Sequence, residues 1–255
     1  MQLVKITRLL GLLIFACLPA LADSDEKWGA GSNEHLKSYQ QWKQYNREFD
    51  ECYRKKDRRK AIHAAYNSLR VAEENASEKH PAMVTTLYNL ALIHSGTTAI
   101  EFYTRALAIQ QKQSPNAALI VKILVGLGEN HAKLHEQGKS TATAWGFRSP
   151  VNHQQASKVF YERALPLLER QGSDPQKIAS ILEELADIYK QEGDITRAVQ
   201  YHERSLLIKM KIVGKNHTDL IAPLRNLSGL YVVLKRYKES EKLERFATQI
   251  EAMRR

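Results

Sequence analysis

The sequence predicts an all-α protein assembled from repeated helix pairs, and three observations lead to that fold class. Helix formers dominate, with only 12 Gly and 7 Pro in 255 residues, so turn punctuation is sparse. Two kinds of apolar segment alternate along the chain. Both recur at a period near 42 residues, the mark of stacked like units. With 43% hydrophobic and 26% charged residues, the composition suits a folded chain with a sizeable core and excludes wholesale disorder.

Residues 1–22 follow a different logic. Lys5 and Arg8 precede an apolar run from Leu9 to Leu18, then Ala20-Leu21-Ala22 and the acidic Asp23-Ser24-Asp25-Glu26. That is the order of a signal peptide cleaved after Ala22. As a helix the run would rise about 15 Å, half of a ~30 Å hydrocarbon core, too short for a permanent span. Either cleavage releases a periplasmic or secreted chain, or Cys17 carries a lipid, a pattern that bulky Phe15 fits badly. Without residues 1–22 the chain holds 36 Lys and Arg against 28 Asp and Glu, net +8. Cys52 is then the only cysteine, so no intramolecular disulfide is available and packing must supply stability. Its thiol is either buried and inert or the site of an intermolecular disulfide. Residues 23–37 read as a linker, and 38–255 as the repeat region with an insertion at about 138–154.

The first segment series is Leu87-Tyr-Asn-Leu-Ala-Leu-Ile93, Leu124-Val-Gly-Leu-Gly-Glu-Asn130, Leu182-Glu-Glu-Leu-Ala-Asp-Ile188 and Leu224-Arg-Asn-Leu-Ser-Gly-Leu230. Each reads Leu-x-x-Leu-small, which puts both leucines on one helix face beside a residue that lets a second helix approach. The other series comprises Phe102–Ile109, Phe160–Leu167 and Tyr201–Ile208. Taking the small residue as register, Ala91, Gly128, Ala186 and Ser228 are 37, 58 and 42 residues apart, and Ser68, Ala106, Ala164, Ser205 and Ala247 are 38, 58, 41 and 42 apart. One repeat has therefore lost four residues in its turn and the next has gained 17. The first pair, Tyr45 to Glu74, carries Phe49 in place of the small residue, and the last helix, Tyr237 to Arg254, has the polar outer face of a cap. His80-Pro81, Ser114-Pro115 and Asp174-Pro175 are placed to open helices.

Leu182, Leu185, Ala186, Tyr189, Gly193, Ala198 and Ser205 give this pattern its identity. It resembles the tetratricopeptide repeat, and specifically the longer kinesin-light-chain-like class, with Lys79-His-Pro81 and Asn216-His-Thr218 similar to the Asp-His-Pro turn of that class. The resemblance covers residues 38–254 and implies a right-handed α-α superhelical solenoid of about five helix pairs. Pairs that cannot cover their own apolar faces must stack, and the stack curves around a concave surface.

In this architecture the first helix of each pair lines the groove. Tyr88, Asn89, Leu92, Glu129, Glu183, Glu184, Asp187, Arg225 and Asn226 become the candidate ligand contacts. The resemblance further implies that an Asn directly before the second leucine bonds the backbone of a bound extended peptide. Asn89 and Asn226 match, whereas Gly126 and Glu184 depart from the pattern. The insertion holds Trp145, Phe147 and Arg148, either a binding loop or a cover for an exposed helix edge. Arg54, Lys55, Lys56, Arg58, Arg59 and Lys60 crowd one turn, either simply solvated or drawn to an anionic membrane surface or an acidic protein. Nucleic acid is a poor partner for an exported chain with no interleaved aromatics.

No catalytic role and no cofactor are expected. His131 and His135, with His153 as a distant third, have metal-ligand spacing, but His131 occupies the core Tyr position of the repeat and reads as a packing residue. Gly126-Leu-Gly128 lies inside a helix and is no phosphate loop. The sequence thus points to an exported scaffold that binds a protein or peptide segment in its groove. The alternative is an assembly factor that associates through solenoid edges and the basic turn.

Overall fold

A computed structural model describes residues 33–76, 80–112, 116–138 and 152–253, all of whose regular elements are helical. Residues 1–22, expected as a signal peptide, with Cys17, and Trp145, Phe147 and Arg148 of the expected insertion lie outside the described residues.

The chain divides into two compact units at Pro115 and Asn116. The first holds α1 (Asn33–Arg54), α2 (Arg58–Asn75), α3 (Pro81–Ile93) and α4 (Thr97–Lys112). The second holds α5 (Ala117–Glu136), α6 (His153–Arg170), α7 (Pro175–Gln191), α8 (Ile195–Val213), a 3-10 turn Thr218–Leu220, α9 (Ile221–Val233) and α10 (Tyr237–Ala252). α1 packs on α2, α3 on α4, α5 on α6, α7 on α8 and α9 on α10. Pairs then stack, α2 on α3 in the first unit, and α6 on α7 and α8 on α9 in the second. The five pairs that the sequence period predicted are therefore present.

Helix starts follow local chemistry. Asp57, Asn116, Asn152, Asp174 and Asp194 each accept a backbone N–H of the first helical turn, satisfying a donor the helix leaves open. His80 and His217 do the same with Nδ1, accepting from Ala82 and Asp219. This gives a physical reason for a histidine in the repeat-opening turns. Pro81 and Pro175 are first helical residues, as expected, but α5 opens at Ala117 behind Asn116, two residues after Pro115.

Three boundaries differ from the sequence reading. α1 begins at Asn33, inside the expected linker. α10 ends at Ala252. The four residues missing from the second pair come from helix rather than turn. α3 stops two residues after Ala91, whereas α7 runs five past Ala186, and both are followed by three-residue connections.

Every leucine and small residue of the Leu-x-x-Leu-small series is buried. At Gly128 an added Cβ would sit 2.5 Å from Tyr161 Cε1, so the α5–α6 approach needs glycine. Ser205 donates to the Ala179 carbonyl and Ser228 bonds Ser240, so hydroxyls at the small position also tie helices together. In the first pair bulky Phe49 is accommodated by Ala61, Ala64 and Ala65 on α2. Large and small residues have exchanged sides there, which conserves core volume.

Candidate functional site

In the first unit the expected ligand contacts turn inward. Asn89 is buried and donates Nδ2–H to Asn46 Oδ1 at 2.8 Å. Asn46 in turn donates to Ser68 Oγ at 2.9 Å, Ser68 and Thr86 share a hydrogen bond at 3.0 Å, and Trp42 Nε1 donates to Thr86 Oγ1 at 2.9 Å. This chain stitches α1, α2 and α3 together. Asn89 is thus corrected from a peptide ligand to a core polar residue, held because its amide would be costly to bury unbonded. Tyr88 and Leu92 are half-buried, Tyr88 tilted against the Tyr103 ring at 5.9 Å and Leu92 packed on the Phe49 cluster.

The second unit presents the nominated residues differently. On α7, Glu184 and Asp187 are exposed while Leu182, Leu185 and Ala186 beside them are fully buried. Partial desolvation holds the Glu184 carboxyl above its usual range, and the negative charges of Glu136, Asp187, Glu129 and Glu183 push it further. Asp187 Oδ1 lies 3.7 Å from Nε2 of buried His202. Glu183 pairs with Lys209 of α8 at 2.6 Å, and Glu129 of α5 pairs with Lys177 of α7. On α9, Asn226 is exposed, and exposed Arg225 reaches Glu251 at 2.8 Å. The helices of this unit therefore hold a set of polar groups on firmly packed backbones.

A recurring latch was not read from the sequence. Three residues beyond the small position of a first helix, an aromatic side chain bonds the preceding pair two residues before its own small position. Tyr189 donates to Glu162, Tyr231 donates to Glu203, and His94 meets Tyr66 Oη at 3.1 Å. Arg197 and Arg236 cover the two tyrosine rings at 4.5 and 4.4 Å. Burial, followed by the bonded carboxylate, pushes both phenols up to about 12. The register alone could have suggested the pairing, since both partners keep fixed offsets from the small residues.

His131 occupies the same register but bonds differently. Its Nδ1 lies 2.8 Å from Nδ1 of His153, the first residue of α6, and its ring stacks on Phe160 at 5.6 Å. Both histidines are buried. Burial, then His153, lowers the His131 pKa to about 4. His135, the expected partner at helical spacing, is exposed. Among the described residues no three His, Cys, Asp or Glu side chains are grouped to hold a metal ion.

The basic turn joins α1 to α2. Arg58 is not a free surface cation: its Nη2 donates to the Ile93 carbonyl at the end of α3 at 3.1 Å. Lys55 pairs with Glu51 at 2.6 Å, Lys60 with Asp57 at 3.7 Å, and Arg54 donates to the Asp50 carbonyl. Lys56 and Arg59 are exposed, Lys56 with a left-handed φ of 59°. Cys52 is buried as a free thiol.

Residues 177–250, covering most of α7 to α10, match the model of the tetratricopeptide repeat family. The fold is that of tetratricopeptide-repeat proteins. BtubC (BKLC) from P. vanneervenii superposes with a TM-score of 0.55 at 21% identity, over 83% of this chain and 80% of that one. The apo form of RapI gives 0.58 at 15% identity, over 83% and 70%. A putative kinesin light chain with nearly identical repeats from Podosopora anserina gives 0.53 at 16% identity, over 86% and 97%. No curated protein sequence matches the chain.

Proposed function

We propose that the protein is an exported scaffold that holds a protein or peptide segment against the open faces of α7 and α9. The observation that supports this reading is the contrast within those helices. Their leucine faces are fully buried, while Glu184, Asp187, Arg225 and Asn226 stay exposed on the same turns. A polar array on a backbone fixed by packing and by the tyrosine latches loses little entropy on binding. Glu129, Glu136, Glu183, Glu184 and Asp187 outnumber the cations paired with them, so the segment it holds carries Lys or Arg facing α7. In this reading residues 1–22 direct export and are removed after Ala22.

A photo-crosslinking residue at 226 of the full chain, followed by mass spectrometry, tests the proposal. Recovery of one basic segment, reduced by Glu184→Gln with Asp187→Asn, is the expected result. Unchanged recovery in that variant, or crosslinks spread over unrelated surfaces, overturns it. A mature N-terminus at Asp23 checks the export step.

A further inference from the structure

We propose that the turn joining α9 to α10 is a contact site for a bilayer carrying anionic lipid. Seven consecutive residues, Val232 to Lys238, combine two chemistries that soluble surfaces normally keep apart. Val232 is 48% exposed, Val233 62% and Tyr237 61%. Among them stand exposed Lys235, Arg236 and Lys238. Arg236 also bonds Glu239 and covers the Tyr231 ring, but Lys235 and Lys238 have no ion pair among the described residues.

The placement suits a surface rather than a cleft. The turn closes on itself through Lys235 N–H to the Val232 carbonyl at 2.9 Å and Arg236 N–H to the Tyr231 carbonyl at 2.8 Å. Its side chains therefore splay outward from a tight, fixed corner. Aliphatic and tyrosyl groups enter the headgroup region while the lysines stay at phosphate level, the division seen at membrane interfaces. A folded protein is a poorer match, because three side chains fall far short of the ~800 Å² per partner that a stable interface buries. A bilayer asks only for local insertion and adds charge attraction.

The backbone supplies a second observation. Lys235 adopts a left-handed φ of 59°, in the turn position where the α7–α8 connection uses Gly193 with φ 82°. Glycine takes that conformation without strain, so the lysine carries a conformational cost at a site where it adds exposed charge. Among the described residues no helix is long and apolar enough to cross a membrane. The contact differs from the basic turn at 54–60, which has the charges without a paired aliphatic patch and would act through electrostatics alone.

Sedimentation of the full chain with phosphatidylcholine vesicles, with and without phosphatidylglycerol, tests the inference. Binding is expected only with phosphatidylglycerol. Lys235→Gly with Lys238→Gln should weaken it about 25-fold, at roughly fivefold per cation. The glycine also relieves the strained backbone, so a thermal melt no lower than wild type separates lost binding from lost fold. Val232→Ser with Val233→Ser should weaken binding at least about tenfold, and that loss should persist at high salt. Equal binding to both vesicles, no binding, or binding abolished by Arg59→Gln but untouched by the 232–238 variants overturns the proposal. So does self-association that the Val232→Ser, Val233→Ser variant abolishes, which would make the patch a contact between copies.

Discussion

Gly128→Ala sets two known effects against each other. Alanine is the better helix former, by about 1 kcal/mol in a helix interior. Yet the new Cβ would meet Tyr161 Cε1 at 2.5 Å, Cδ1 at 2.6 Å and Cζ at 3.0 Å. Relief needs a shift of roughly 1 Å to restore ordinary carbon contacts of about 3.5–4.0 Å. Tyr161 is buried, and Ser157 donates to the Gly128 carbonyl at 3.1 Å, so neither the ring nor the helix is free to yield. Overpacking of this kind costs about 1–3 kcal/mol, and the constraints put it at the upper end. A net loss of about 2 kcal/mol follows, a fall in Tm of roughly 4–8 °C. Gly229→Ala is the matched control, because its Cβ meets nothing within 4 Å. It should gain about 0.5–1 kcal/mol. Adding Tyr161→Leu to Gly128→Ala should return part of the loss, which urea titrations of the four proteins would measure. If Gly128→Ala is as stable as wild type, the close approach of Tyr161 is not what requires glycine.

Three further outcomes follow from the same geometry. The His131 pKa is lowered to about 4 in the folded chain, against an ordinary value of 6.5. Its stabilising effect is complete above pH 6.5 and is lost as pH falls toward 4, because the unfolded chain takes up a proton that the folded one refuses. The loss should reach about 3 kcal/mol, and an acid slope unchanged in His131→Leu would refute the assignment. Thr86→Val removes the acceptor of Trp42 Nε1 and a partner of Ser68, so it should cost about 1–3 kcal/mol by thermal melt. Lys56→Gly should instead stabilise the first unit by about 0.5–1 kcal/mol, since φ at this position is 59°, and a drop in stability would count against strain there.

The repeat was legible because its signal is local. Two leucines and a small residue on one helix face declare a close helix contact without reference to any other part of the chain. The helix start at Asp174-Pro175 was legible for the same reason. Asn89 was misread because its position in the motif is that of a surface residue, while its partner Asn46 is 43 residues away. Only the folded chain, with α1 and α3 both packed against α2, brings the two amides together. Phe49 looked like a defect in the repeat, and the three alanines that receive it lie on another helix. The His131–His153 contact crosses the longest interruption of the period, so helical spacing pointed to His135 instead. At the candidate site the sequence named Glu184, Asp187, Arg225 and Asn226 on exposed faces, but not the ion pairs with Lys209, Lys177 and Glu251 that hold their neighbours or themselves in place.

The tyrosine latches bear on how the second unit comes apart. Each fastens one helical hairpin to the one before it, Tyr189 to Glu162 and Tyr231 to Glu203, so hairpins should detach as blocks rather than fray residue by residue. Amide exchange would then rise in discrete steps along the chain. The amides of α9 and α10 should open together, and cutting the Tyr231 tether with Tyr231→Phe should speed their exchange while leaving α5 and α6 as slow as before.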